Sequence, residues 1–448
     1  MKETIRAIAR AVQAQGGRAL LVGGCVRDGL LGIDSADIDC EVHGVPPQAL
    51  RALLSPFGEL DESGAPYGIY TLRGQGIDVA LPRTERRTGP GHRDFTVTLD
   101  PDLPPERAAA RRDFTVNAIM RDALTGEYID PFGGIGDLRA GVLRAVPAPG
   151  FEDDPLRVLR GAQFAARFSL APDTETLVRM RRMPLDGLSG ARVMGEMKKA
   201  LLCAERPQVF FGVLSQAGAL FPWFEELSAL RGVQQNAAHH PEGDAWAHTM
   251  LVLGEAARVR SLAADPLAFM LAALCHDLGK AVSVRRSARG EWTAAGHEQT
   301  GVPLVRSMLG RLCAPKAAVR YAADMCALHM RAHICYFTGA DESQTNLLFD
   351  ASVCPRELML LAVCDSRGTG KPREAADREE RFLTERLSAY ERAVGRGLPD
   401  ARALLAAGAA PGPGLGDAVR EARRLALCGE SSEKAAQRAA QAVEGKQA

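Results

Sequence analysis

At 448 residues the chain is too long for one ordinary domain, and a hydrophobic fraction of 46% is enough to build cores, which excludes a disordered protein. Lys plus Arg and Asp plus Glu each total 55, a formal net charge of zero. That excludes an all-over basic coat but not a local basic groove for nucleic acid, which responds to charge distribution. The ten cysteines contain no Cys-x-x-Cys pair and read as reduced thiols, not as a zinc ribbon or disulfide framework. Arg far outnumbers Lys, a bias that suits bidentate phosphate contacts and suits codon usage equally well.

The first predicted element, MKETIRAIARAVQAQGG, is a charged amphipathic helix without the uninterrupted apolar stretch of a signal peptide. No segment reaches the roughly 18 apolar residues that span a bilayer, so a cytoplasmic protein with no membrane partner is expected. Strand-like runs follow from Ala19 (ALLVGG) and Ala36 (ADIDCEVHG), then GIYTLRG and GIDVALP as a pair. From Arg83 to Arg112 the chain is basic and is expected to be irregular. Past Phe151, apolar residues recur at three and four, as in LRVLRGAQFAARF, and strand signals nearly vanish. The class is therefore α+β, a mixed head followed by a long helical body. Within that body PEGDAWAHTMLVLGEAARV, PLAFMLAALCHDLGKA and the segment around AVRYAADMCALHMRAH are helices. AAPGPGLGDAV, near Pro411, is a turn between short helices, and the polar, Ala-rich end GESSEKAAQRAAQAVEGKQA is expected to fray.

Asp37 and Asp39 are two apart on a strand and so share a face. Carboxylates held side by side repel unless a cation lies between them, and Mg²⁺, a hard ion that also takes phosphate oxygens, is the natural one. Asp78, in GIDVALP, is a candidate third acid. Upstream, Gly23 and Gly24 lead into a helix that carries Arg27. Glycines let backbone N–H groups approach a phosphate, and the arginine adds a cation. Either motif alone is commonplace; the two at this distance are not.

The string GGCVRDGLLGIDSADIDCEVHG resembles the signature of class II tRNA nucleotidyltransferases and bacterial poly(A) polymerases, members of the polymerase-β-like superfamily. RRDFTVNA (from Arg111), DPFGGIGDLRAG and FEDDPLRVLRGAQFAARF follow in the family's order, so the resemblance covers nearly the whole chain. It implies a polymerase-β-like head at 1–145, an all-α neck with a base-reading motif at 146–230, and helical parts beyond. It also implies that Asp37 and Asp39 hold the catalytic Mg²⁺, and that Gly24 and Arg27 face the triphosphate. Arg112 and Asp113 would contact the ribose and phosphate side of the nucleotide, Asp154 and Arg157 would pair with the base edge, and Arg160 would add a further nucleotide contact. A carboxylate accepts from an exocyclic amine while a guanidinium donates to ring nitrogen or carbonyl, so protein groups can replace a template. The motif's usual first Glu is Asp153 here, one carbon shorter. EDDPLR is also a helix start, with Asp at the cap and Pro in the first turn.

Three activities share such a head: CCA addition, CC addition and poly(A) addition. The region that implies a switch from CTP to ATP is long and polar here, with Gly89, Pro90 and Gly91 as mobile elements, and the tail lacks a strongly basic arm. Both features favour CCA addition to the 3′ end of tRNA from CTP and ATP. His248, the adjacent His276 and Asp277, and Asp365 are similar to the pattern of HD metal-dependent phosphohydrolases, which places an HD domain at 231–370 and a helical tail at 371–448. His297, His329 and His333 are supporting candidates, the last two four apart on one helix face. His and Asp ligands suit Ni²⁺ or Mn²⁺ as well as Mg²⁺. The implied activities are 2′,3′-cyclic phosphodiesterase and phosphatase. The rival from another class is an HD phosphohydrolase whose head only senses nucleotides.

Overall fold

A computed structural model describes residues 2–35, 37–87 and 95–444. The chain forms two compact units, one of Met1–Ala200 with Val209–Pro222 and one of Leu201–Gln208 with Trp223–Ala448.

The first unit is built on a sheet ordered β3-β4-β5-β2-β1-β8-β9. Its strands are β1 Arg18–Val22, β2 Ile38–His43, β3 Leu60–Asp61, β4 Ile69–Leu72, β5 Ile77–Ala80, β8 Met120–Asp122 and β9 Tyr128–Ile129. Within it, β2 and β5 run parallel, which sets Asp39 opposite Asp78. Alternation along β2 sends Ile38, Cys40 and Val42 into a core shared with Ile5, Ile8 and Val12 of the helix Lys2–Ala14 and with Leu50 and Leu54 of the helix Pro47–Leu54. Asp39 and Glu41 therefore lie on the other face.

The basic stretch expected to be irregular contains an antiparallel pair, β6 Arg83–Arg87 with β7 Phe95–Leu99, and a short helix, Pro105–Ala109. Its β-branched run Thr96-Val97-Thr98 favours a strand, a signal hidden by the surrounding charge. Gly89, Pro90 and Gly91 lie outside the described residues. Further on, Phe114 is fully buried, edge-on to Phe151 at 5.5 Å and to Phe164 at 5.8 Å between ring centroids. Gly161 makes this possible, since a Cβ there would lie 2.9 Å from Phe114 Cζ. This aromatic knot fixes the Arg111–Asp113 turn against the helix Leu156–Phe168.

The second unit is helical apart from one ribbon, Arg285–Arg286 with Trp292–Thr293. Its central helix, Pro266–Cys275, is apolar all round and buried from Leu267 to Cys275, and Asp265 caps it by accepting from the Leu267 and Ala268 amides. The helix stops at Cys275, so His276 and Asp277 stand at its end and not inside it. Glycines draw neighbours onto that end: a Cβ on Gly279 would meet the His297 carbonyl at 2.0 Å, and one on Gly301 would meet Cys326 Sγ at 2.7 Å. The end expected to fray is the helix Ser432–Glu444, which buries Ala435, Ala436, Ala439 and Ala440. Small side chains at helical spacing let it pack closely on its neighbours, and that outweighs its polar composition.

Candidate active sites: an acidic strand and a histidine–aspartate cluster

Asp37 lies one residue before β2 and Asp39 on it, both solvent-exposed. Among the described residues neither carboxylate takes part in a hydrogen bond or ion pair. Partial burial raises the Asp39 carboxyl above its ordinary range, Arg112 opposes this, and the charges of Asp78 and Asp37 add to it. Such a group of unneutralised acids has the chemistry of a divalent-cation site. Asp78 also accepts a hydrogen bond from Thr71 Oγ1 at 2.5 Å. Gly23, with φ 71°, closes the site from β1: a Cβ there would lie 2.9 Å from Arg112 Nη1 and 3.5 Å from Asp39 Oδ2. Arg112 makes no side-chain hydrogen bond or ion pair among the described residues. It stands as a cation beside the acids.

Arg27 and Gly24 lie near this turn, but Arg27 is buried. It donates to Asp28 Oδ1 at 2.6 and 2.9 Å and to Asn117 Oδ1 at 2.6 Å, and lies 4.1 Å over the Phe168 ring. Asp113 is buried and accepts from the Phe114 amide, from Asn117 Nδ2 at 2.9 Å and from Arg160 Nε at 2.7 Å. Burial alone would raise its carboxyl; Arg160 and these hydrogen bonds outweigh that and hold it below the usual range. Asp154 accepts from the Leu156 amide at 3.1 Å, and its two oxygens each lie 3.2 Å from Arg192 Nη2; it does not cap the helix as expected, because the cap position falls on Pro155, which has no side chain able to accept. Arg157 donates to the Gly150 and Arg111 carbonyls, both at 2.7 Å. One position before Asp153, Glu152 holds Arg179 through two hydrogen bonds, 2.7 and 2.9 Å.

Three residues in this unit escaped sequence reading. Arg192 and Arg179 are distant in sequence from the acids they meet. Glu41, buried on β2, accepts from Arg111 Nη2 at 2.9 Å and lies 3.1 Å from His43 Nε2. Burial works to raise its carboxyl, but His43, Arg111 and Arg112 bring it down to about 2. The alternation that exposed Asp37 and Asp39 includes Glu41, so this one was there to be found.

In the second unit the structure brings His248, His276, Asp277, His297, His329, His333 and Asp365 together, all buried. His248 Nε2 lies 2.9 Å from Asp365 Oδ1 and 3.4 Å from Asp277 Oδ2, and His276 Nε2 lies 3.3 Å from Asp277 Oδ2. Asp277 Oδ1 faces His297 Nε2 at 3.0 Å and His329 Nε2 at 3.6 Å. Despite these distances His248 Nε2, His276 Nε2 and both Asp277 oxygens form no properly directed hydrogen bond. Buried polar atoms that converge without bonding one another have the donor chemistry of a metal-ligand set. Two ligand groups, His248–His276–Asp277 and Asp277–His297–His329, have their donor atoms within 4.8 Å of one another and share Asp277. The described residues thus include His/Asp groups able to hold a metal ion.

Outer partners orient these ligands. His276 and His329 turn Nδ1 to the Ala273 and Cys326 carbonyls at 2.9 and 2.8 Å, leaving Nε2 for the cluster. Glu242 Oε1 takes His248 Nδ1 at 2.8 Å and His240 Nδ1 at 2.9 Å. His333 bridges Asp365 Oδ2 at 2.9 Å and Glu379 Oε1 at 2.7 Å, and Lys280 Nζ lies 2.6 Å from Asp277 Oδ2. Burial lowers His329 to about 4. His248 is driven the same way by burial, but Asp365 and Glu242 lift it to about 9. Glu242, Lys280 and Glu379 were not singled out from sequence; of these only Lys280, one helical turn after Asp277, had a spacing that pointed to it.

A sheet that carries unpaired acids beside a glycine turn, ahead of a helical body, defines a nucleotidyltransferase-type head, and residues 19–144 match the family model described as the poly A polymerase head domain. Over 420 residues the chain is 38% identical to a multifunctional CCA protein of Xanthomonas euvesicatoria pv. vesicatoria, an alignment that covers 91% of this chain and 97% of that one. The chain belongs to the family of multifunctional CCA proteins. Its fold is similar to that of the Bacillus stearothermophilus CCA-adding enzyme solved with CTP, at TM-score 0.67 and 22% identity over 99% of this chain and 98% of that one. It is also similar to the Thermotoga maritima CCA-adding enzyme complexed with tRNA, at TM-score 0.63 and 17% identity over 98% and 94% of the two chains. No described helix is long and apolar enough to cross a membrane.

Proposed function

We infer that the protein adds CCA to the 3′ end of tRNA from CTP and ATP without a template, and that its second unit is a metal-dependent phosphohydrolase. The observation that carries the first part is the pair Asp37 and Asp39, without a hydrogen-bond or ion-pair partner among the described residues, next to Arg112 at the Gly23 turn, in a chain of this family. In each addition the tRNA hydroxyl oxygen bonds to the α-phosphorus, the bond to the bridging oxygen breaks, and pyrophosphate leaves. Mg²⁺ held by Asp37 and Asp39 supplies activation of the hydroxyl and neutralisation of the leaving charge. Arg112 attracts the triphosphate, with Gly23 and Gly24 letting it come close to the backbone. Asp113 and Arg160 lock each other at the ribose side, and Arg27, buried behind them, braces Asn117. Asp154 and Arg157 read the edge of the base: the carboxylate accepts from the amino group that C and A carry and U and G lack there, and the guanidinium donates to a ring nitrogen or carbonyl. The head at 1–145, the neck at 146–230, the hydrolase body at 231–370 and the tail at 371–448 divide this work. Substrates of this kind place the protein in the cytoplasm.

For the second unit, His248, His276, Asp277 and Asp365 hold the metal, with Ni²⁺, Mn²⁺ or Mg²⁺ as candidates, and the expected substrates are 2′,3′-cyclic phosphates and phosphomonoesters. Bound there, the metal would supply Lewis acidity for attack of water on the phosphate. Lys280 keeps a cation beside Asp277, where phosphate charge would accumulate. The test is a product-length assay on tRNA lacking its last three nucleotides, with CTP and ATP supplied separately and together. CTP alone should add two residues and ATP should complete the end. Asp39→Ala should abolish addition and spare hydrolysis, and His276→Ala should do the reverse. Extension of arbitrary RNA with ATP alone would overturn the CCA reading, and undiminished cyclic-phosphate hydrolysis by His276→Ala would overturn the second.

A further inference from the structure

The cavity next to the histidine–aspartate cluster has more surface than a phosphate needs. Its volume is about 770 Å³, and His297, His333 and Asp365 form part of its lining. The helix Lys316–Thr338 contributes to both chemistries. His329 and His333 belong to the cluster, and Phe337, the next residue at the same four-residue spacing, lines the cavity roughly 6 Å further along the axis. Phe337 is 74% exposed and Ile334 beside it 53%. The Phe337 ring meets Tyr336 at 5.3 Å between centroids, and Tyr336 in turn meets Phe382 at 5.7 Å. Lys371 and Arg378 line the same cavity and have no hydrogen-bond or ion-pair partner among the described residues.

We propose that this cavity seats the 3′ end of an RNA strand, with the last base stacked on Phe337, its terminal phosphate at the histidine–aspartate cluster, and the preceding phosphodiester at Lys371 and Arg378. The proposal rests on the hydrolase reading of that cluster and names the form in which its substrate arrives. Inorganic phosphate would leave the exposed aromatic without a purpose, and an apolar ligand would leave the two unpaired cations without one. A nucleotide chain uses both, because every base offers a π face and every linkage a charge. Stacking is tolerant of base identity, which suits an enzyme that meets ends broken after different nucleotides. One helical turn between His333 and Phe337 is comparable to the step from a ribose phosphate to its own base.

The test uses the full chain with Mn²⁺ and equilibrium dialysis of three labelled probes: inorganic phosphate, 2′-AMP, and the dinucleotide ApA carrying a 2′-phosphate, the two nucleotides supplied as phosphonate analogues that hydrolysis does not consume. Phe337→Ala, a surface change that leaves the core intact, should weaken 2′-AMP and the dinucleotide by roughly five- to a hundredfold and leave phosphate unchanged. The double variant Lys371→Ala/Arg378→Ala should weaken the dinucleotide but not 2′-AMP. Equal binding by wild type and Phe337→Ala, equal loss of all three probes, or no binding of either nucleotide by the wild type would each overturn the seat. Hydrolysis of 2′,3′-cyclic AMP and of glycerol 1,2-cyclic phosphate is followed in parallel. If neither is cleaved while the dialysis pattern holds, the hydrolase reading falls and the seat stands; if both are cleaved and Phe337→Ala binds normally, the seat falls and the hydrolase reading stands.

Discussion

Replacing Gly23 by alanine tests whether Arg112 faces the incoming nucleotide. Gly23 has φ 71° and ψ −133°, a region that costs a residue with a Cβ about 1–3 kcal/mol. The added methyl would also lie 2.9 Å from Arg112 Nη1, so the guanidinium must retreat by several tenths of an ångström to about one. At an effective dielectric of about 20, lengthening an Arg–phosphate pair from about 3 to about 4 Å removes about 1.4 kcal/mol, which is about tenfold in kcat/KM. Steady-state incorporation of CTP into tRNA lacking its terminal nucleotides should therefore fall about tenfold. Gly74 supplies the control: its φ is also 71°, but an added Cβ meets nothing within 4 Å. Gly74→Ala should lose stability in denaturant melts without losing CTP kinetics. If Gly23→Ala melts early yet keeps kcat/KM for CTP within twofold of wild type, Arg112 does not contact the nucleotide and the argument for the head site is refuted.

Two further perturbations probe buried acids. Glu41 is lowered from 4.5 to about 2, so its ion pair with Arg111 contributes stability that is fully present above about pH 4.5 and disappears as pH falls toward 2. Glu41→Gln should remove at most about 3 kcal/mol at pH 7 in urea melts and flatten the acid limb of the stability curve; an unchanged limb would refute it. Glu242→Ala withdraws the acceptor from His248 Nδ1 and should weaken metal binding about 10- to 100-fold in a metal titration, with nucleotide addition unaffected.

What could be read from sequence was what local periodicity encodes. Strand alternation set Asp39 and Glu41 on the face opposite the core, while Asp37, expected on the same strand, stands one residue before it; the adjacent His276 and Asp277 stood out because so apolar a run as PLAFMLAALC cannot end on two polar groups by accident of solvation. The hairpin inside the basic stretch was missed because charge obscured a three-residue β-branched core. The closing helix was missed because alanine reads as weakly apolar, although a stripe of it packs closely. Glu379 lies in REAADREERF, where acids are dense enough to suggest a solvated face; only the packing of that helix sends this one to His333. Arg192 was illegible for a different reason, since its 38-residue separation from Asp154 is bridged by tertiary structure alone.

That last contact bears on how a protein selects C and A with no template. On the proposed reading Asp154 and Arg157 must be ready for a base, yet Asp154 is neutralised by Arg192, and Arg157 is tied to the Gly150 and Arg111 carbonyls. A base that binds at Asp154 must then exchange the Arg192 contact, not add to it, while Arg157 keeps its two carbonyl anchors. Exchange is nearly neutral only when the newcomer replaces each bond it displaces. The amino group of C or A can repay the carboxylate; U and G present a carbonyl there and would set acceptor against acceptor. A carboxylate that is 33% exposed costs less when left without its donor than a buried one, toward the lower end of about 1–3 kcal/mol, so it supplies about fivefold discrimination by itself. The remainder falls to Arg157, whose two carbonyl anchors hold the guanidinium plane at one angle and so make a poorly matched base edge pay in geometry as well as in charge.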